Sequence, residues 1–123
     1  MTIDRKAARR EYAETPRPMG VFRVLDTVNG KCLVGSTVDL PSMLNRQRAQ
    51  LRLGGHRNHA LQDDFRAHGE DAFRFEVLDT IEPSDEPGAD PAADLATLEA
   101  LWIEKLQPFD EHGYHRRPPA PRA

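Results

Sequence analysis

Between residues 20 and 36 the chain reads GVFRVLDTVNGKCLVGS, two short apolar runs separated by Asn29-Gly30. Val21, Phe22, Val24, Leu25, Leu33 and Val34 are strand formers, and Asn-Gly supplies the positive-φ positions of a tight hairpin turn. A third strand is predicted over 72–80 (AFRFEVLDT), where Phe73, Phe75 and Val77 alternate with Arg74 and Glu76. Helical spacing governs most of the rest. Residues 3–14 predict an N-terminal helix, stopped by TPRPMG because each proline disfavours helix in the residue before it. Asp39 can cap a helix over about 40–53 with Pro41 in its first turn, ended by Gly54-Gly55. Asn58 can cap a second helix over about 59–68, closing at Gly69. Residues 82–94 form a polar loop with three prolines, a last helix runs over about 93–106, and the tail HRRPPAPRA is too polar to pack. The expected organisation is an N-terminal helix at 1–15, one domain at 16–115 with a loop at about 82–92, and a disordered tail at 116–123. This order predicts the α/β (α+β) class, a small antiparallel sheet with helices against it.

The chain's 123 residues suffice for one modest core. No run of about 18 apolar residues is present to span a membrane, and the N-terminus lacks a signal-peptide core, so a cytoplasmic protein without a membrane partner is expected. A single cysteine, Cys32, excludes an internal disulfide and reads as a small buried hydrophobe. The net charge of −3 is unevenly spread. Residues 43–66 hold five arginines against Asp63 and Asp64, whereas residues 70–104 hold eleven acids against Arg74 alone. A basic surface on an acidic body suits nucleic acid, and a solvated Arg-rich helix face gives the same count.

Two polar residues stand where apolar ones belong. At 100° per residue Leu95, Leu98, Trp102 and Leu106 share one stripe, and Glu99 projects inside it. A carboxylate there needs a partner, a proton or a metal, unless it reaches solvent at the stripe edge. In the helix at 40–53, Gln47 lies among Leu40, Met43, Leu44 and Leu51, where backbone groups can satisfy it. Arg46 and Arg48 flank that stripe on opposite sides. His56 and His59 form an H-x-x-H too sparse for a metal site, although His56, after two glycines near a helix start, could meet a phosphate. His68, His112 and His115 carry no sequence signal. No Walker loop, G-x-G-x-x-G, nucleophile elbow or serine–histidine–acid pattern is present.

Taken in order, these segments resemble the GIY-YIG nuclease superfamily from about Gly20 to Tyr114. Gly20-Val21-Phe22 stands at the first motif, Asn29-Gly30-Lys31 between the motifs, and Leu33-Val34-Gly35 with Ser36 at the second. GGHRNHALQDDF, GEDAFRFEVLD, LEALWIEKLQPF and GYH resemble the later segments. The resemblance implies a three-stranded antiparallel sheet flanked by helices. It also implies a site in which a second-motif tyrosine assists proton removal from water, a helix arginine stabilises the phosphate and a glutamate holds one divalent metal. The first motif's tyrosine and a histidine support them. Carried over by position, the two tyrosines are Phe22 and Leu33, the arginine is Met43, and a position where some members have histidine is Gln47. His56 and Glu99 remain. Loss of such groups typically removes about a hundredfold or more each from a hydrolytic rate.

Three functions follow as expectations. The first is a nucleic-acid-binding protein, DNA ahead of RNA, with weak or lost cleavage and phosphates facing Arg46, Arg48, Arg52 and Arg57. The second is an endonuclease with a rearranged site: Glu99 holding Mg2+ or Mn2+, His56 as base, and Arg46, one turn from Met43, on the phosphate. The third is a protein-interaction module in which Glu99 only hydrogen-bonds within the core. They rank in that order, the first narrowly ahead of the second, because the resemblance speaks for nucleic acid without deciding activity; oligomeric state is open.

Overall fold

The computed structural model describes residues 18–82 and 87–116, so the expected N-terminal helix and all but the first residue of the tail lie outside the described residues. Three strands, β1 (Met19–Asp26), β2 (Cys32–Thr37) and β3 (Phe73–Ile81), form one antiparallel sheet in the order β2-β1-β3. Three helices, α1 (Leu40–Leu53), α2 (His59–His68) and α3 (Pro91–Leu106), cover it. From β1 onward the element order is the expected one, and so is the α+β class. None of the described helices is long and apolar enough to cross a membrane.

The pleat of β1 divides the core in two, because successive side chains point to opposite faces. Val24, with Leu33 and Phe75 beside it, packs against Leu51 of α1, Leu61 and Phe65 of α2, and Tyr114. Val21, Cys32 and Val34 pack on the other face against Leu98, Trp102, Ile103 and Leu106 of α3. The sheet is therefore the middle of three layers. A bulge between Val21 and Phe22 shifts the pairing, setting Val21 opposite Asp79 and Phe22 opposite Val77. Gly20 is required at this point of the central strand, since a Cβ there would lie 1.9 Å from the carbonyl oxygen of Asp79.

The helix caps form as the sequence predicts. Asp39 accepts the Ser42 N–H at 3.2 Å, and Asn58 accepts that of Leu61 at 3.1 Å. Three local expectations are corrected. The hairpin turn is a longer loop: only Gly30 adopts positive φ, while Asp26 and Asn29 accept the N–H groups of Val28 and Lys31. Side-chain acceptors thus replace the second positive-φ residue. Helix α3 begins at Pro91, two residues early, because Asp90 caps it and proline is tolerated in the first turn. Strand β3 starts at Phe73, since Glu70–Ala72 forms a 3-10 turn.

Candidate functional site

The two motif strands meet where the register pairs Phe22 with Gly35. Phe22 is 4 % exposed, and its ring lies over Gly35, where an added Cβ would come within 2.6 Å of the ring tip. Glycine thus leaves room for the ring. Leu33 points to the same face and packs on the core of α1 and α2. Neither residue carries a group that takes or gives a proton.

Beyond them α1 and the α1–α2 loop enclose a groove of about 220 Å3, lined by Met43, Arg46, Gln47, Gln50, His56 and Arg57. His56 forms its wall and is 8 % exposed. Its backbone N–H donates to Gln62 Oε1 at 3.1 Å, and Gln62, itself buried, donates to the Leu51 carbonyl. The Asn58 N–H donates to His56 Nδ1 at 3.0 Å. A backbone N–H can only donate, so the neutral ring carries its proton on Nε2, which donates to Gln47 Oε1 at 2.6 Å. Burial lowers the His56 pKa and favours that neutral ring. The remaining end of the Gln47 amide faces Met43 Sδ at 3.5 Å, a weak acceptor.

The four predicted arginines divide into two pairs. Arg46 and Arg57 are exposed, line the groove and make no ion pair or hydrogen bond among the described residues. Arg52 is paired bidentately with Glu70, and the Arg48 guanidinium lies 4.6 Å from the centre of the Phe75 ring. The latter two serve contacts between α1 and the β3 side of the fold.

Glu99 is half-buried on α3, beside Leu98 and close to Trp102 in the apolar stripe. Its negative charge acts on His115, whose Nε2 accepts the Val34 N–H at 2.8 Å. Burial depresses the His115 pKa, and the Glu99 charge opposes that shift. One carboxylate at a half-exposed position suits Mg2+ or Mn2+, which commonly take one or two protein carboxylates and complete their shell with water and phosphate. His56 and His59 do not converge: His59 is exposed, and neither belongs to a group of potential ligands among the described residues.

A second polar cluster lies where the end of β1 meets α2. Asp26 is fully buried and accepts from His68 Nδ1 at 2.6 Å and from the Val28 N–H at 2.9 Å. The Tyr114 hydroxyl lies 3.1 Å from Asp26 and 2.8 Å from Asp64, which also accepts from Asn29 at 3.0 Å. Burial, followed by the hydrogen bond to Asp64, pushes the Tyr114 pKa strongly upward. Asp26, Asp64 and His68 offer ligand atoms within 4.8 Å of one another. These atoms are already joined by the hydroxyl and imidazole, so a cation would have to break the bonds that close the fold. Asp26, Asp64, Tyr114 and His115 escaped sequence reasoning because only tertiary contacts bring them together. An acid closing the apolar run of β1 was the available signal for Asp26.

No family model matches the chain, and no curated protein matches it. Among solved structures it is similar to the catalytic domain of the homing endonuclease I-TevI, at 27 % identity over 72 % of this chain and 88 % of that one, with a TM-score of 0.60. It is also similar to a glutamate-to-alanine mutant of the same domain, at 26 % identity over 73 % and 84 % of the two chains, with a TM-score of 0.61. The motif order, the β2-β1-β3 sheet and these two likenesses agree that the chain contains a GIY-YIG-like domain.

Proposed function

We propose that this domain binds nucleic acid through phosphate contacts at the α1 groove and cleaves it weakly or not at all. The observation that carries this reading is the content of the groove. Two exposed guanidinium groups, Arg46 and Arg57, unpaired among the described residues, stand beside a histidine whose two ring nitrogens are both engaged. Such a surface attracts an anion but has no free base to activate water. The fold of homing-endonuclease catalytic domains supports nucleic acid as the anion, with DNA ahead of RNA. Phe22 and Leu33 cannot remove a proton, and Met43 cannot stabilise developing charge.

The second reading, a rearranged endonuclease, is favoured by one feature: Glu99 stands half-exposed beneath the strand that carries the second motif. A divalent ion bound there would act as a Lewis acid on a phosphodiester. His56 is a poor base in that scheme, because taking a proton on Nδ1 would set it against the Asn58 N–H.

The test is binding of labelled duplex and single-stranded DNA and RNA at several salt concentrations, with plasmid nicking in Mg2+ or Mn2+ run beside it. The expected result is binding that weakens with salt, with a log–log slope near −0.9 per phosphate contacted on duplex DNA, and no nicking. Nicking that disappears in Glu99→Ala would establish the second reading instead. No binding at low salt would leave a protein-interaction module.

A further inference from the structure

We propose that the groove is a donor-only phosphate site in which His56 positions Gln47, holding its amide nitrogen toward the bound oxygen. This deepens the phosphate-binding reading above and rests on it for the identity of the ligand.

The argument starts at a backbone N–H. That of Asn58 occupies His56 Nδ1 and leaves the ring proton on Nε2. Nε2–H requires an acceptor, and it finds Gln47 Oε1 at 2.6 Å. A reversed amide would set two donors against each other at that distance, so the ring dictates which end of Gln47 faces away from it. Among the described residues the freed NH2 has only a thioether partner, Met43 Sδ at 3.5 Å. Thioether sulfur is a weak acceptor, and a phosphate oxygen is a strong one. Gln47 lines the groove with Arg46 and Arg57, so the amide and both guanidinium groups border one space. Among these lining side chains Arg46, Arg57 and the Gln47 NH2 can only donate, and Gln50, whose amide can turn either way, can donate as well.

This inference gives the departure at position 47 a role. With histidine at position 47 the group would be titratable; with glutamine pinned by His56 it is a neutral donor of fixed direction. His56 then touches the ligand only through Gln47 and is a positioning residue.

The test is a double-mutant cycle on oligonucleotide binding, with inorganic phosphate as an independent probe. Loss of one hydrogen bond to a charged group predicts a ~10-fold weaker affinity for Gln47→Met. His56→Phe should lose the same factor, and the double variant should lose no more, because His56 acts through Gln47. His56→Gln, whose amide can replace the Nε2–H donor, should stay within ~3-fold of wild type. All four variants should keep the wild-type salt slope, since none removes a charge. In the wild type, imidazole nitrogen shifts should show Nε2 protonated, and the Gln47 side-chain amide signal should move on titration with phosphate.

Additive losses in the cycle, a proton on Nδ1, or a Gln47 signal that ignores phosphate while oligonucleotide binds would overturn the inference and leave the binding function standing. A Gln47 signal that moves with phosphate in a protein that binds no oligonucleotide would overturn the function and keep the inference. If His56→Phe fails to fold, Gln47→Met and the two spectroscopic readouts still decide.

Discussion

Two histidine-centred networks involve the α1 and α2 side of the sheet, and they differ in what they leave over. Around His68 the acceptors dominate: Asp26 and Asp64 share one tyrosine hydroxyl, and imidazole, amide and backbone donors all turn inward. Around His56 the donors dominate, and three groups, Arg46, Arg57 and the Gln47 amide, turn toward a groove. The first network closes β1, α2 and the segment of Tyr114 onto one another. The second holds a loop in place and presents a surface. A buried polar group costs stability when its partner is removed, whereas an exposed donor costs little until a ligand arrives. One region should therefore fail in stability and the other in binding.

The largest effect expected is on folding. Asp26→Ala leaves His68 Nδ1 and the Val28 N–H without their acceptor and the Tyr114 hydroxyl with Asp64 alone, and should destabilise the domain by about 1–3 kcal/mol in chemical denaturation. Affinity of the folded fraction for oligonucleotide should not change. A loss under about 1 kcal/mol would show that the closed network is incidental to the fold.

The alkaline limb comes next. The unfolded Tyr114 ionises near pH ~10, while the folded hydroxyl is held protonated by burial and its carboxylate neighbours. A folded pKa above the unfolded one means stability is full below pH ~10 and falls above it, by up to about 1.4 kcal/mol per pH unit. Tyr114→Phe should flatten that limb in urea titrations at pH 9 to 11. An unchanged slope would remove the hydroxyl from the account.

The arginine pairs sharpen the contrast at the surface. Arg46→Ala and Arg57→Ala should each weaken oligonucleotide binding and reduce the salt slope by ~1, with stability within about 0.5 kcal/mol of wild type. Arg52→Ala and Arg48→Ala should move binding less, because those cations already face Glu70 and Phe75. Equal slopes for all four variants would mean that phosphates track the whole of α1.

The smallest effect lies in acid. Burial sets the folded His56 pKa below the unfolded value of ~6.5, so the native state binds fewer protons there. Stability from this residue is intact above pH ~6.5 and declines as pH falls from that value to the folded pKa. His56→Gln should remove that part of the decline and leave the share contributed by His115, whose pKa is also depressed by burial. The two networks thus weaken at opposite ends of the pH scale.

Much of this molecule could be read from its order of residues. Alternation in β1 and β3, capping by Asp39 and Asn58, and the glycines after α1 and α2 act over a few residues, and local periodicity records them. The same is true of the motif positions Phe22, Leu33 and Met43, whose lack of proton-transfer chemistry needs no coordinates. Glu99 and Gln47 announced themselves as polar residues in apolar stripes, because a helix projects every fourth residue onto one face.

Tertiary structure alone decided their partners. The spacing sets Arg46 and Arg48 on opposite sides of the α1 stripe but does not say which of Arg46, Arg48 and Arg52 meets a partner, since a charge on a helix looks the same until a facing carboxylate or ring is known. The tautomer of His56 depends on an N–H two residues on, and the direction of Gln47 depends on that tautomer. Tyr114 reaches Asp26 across a separation of 88 residues. Local sequence determined the elements because backbone geometry repeats at short range. Hydrogen-bond direction was decided by the fold, because it is set by whichever distant donor or acceptor the packing brings within about 3 Å.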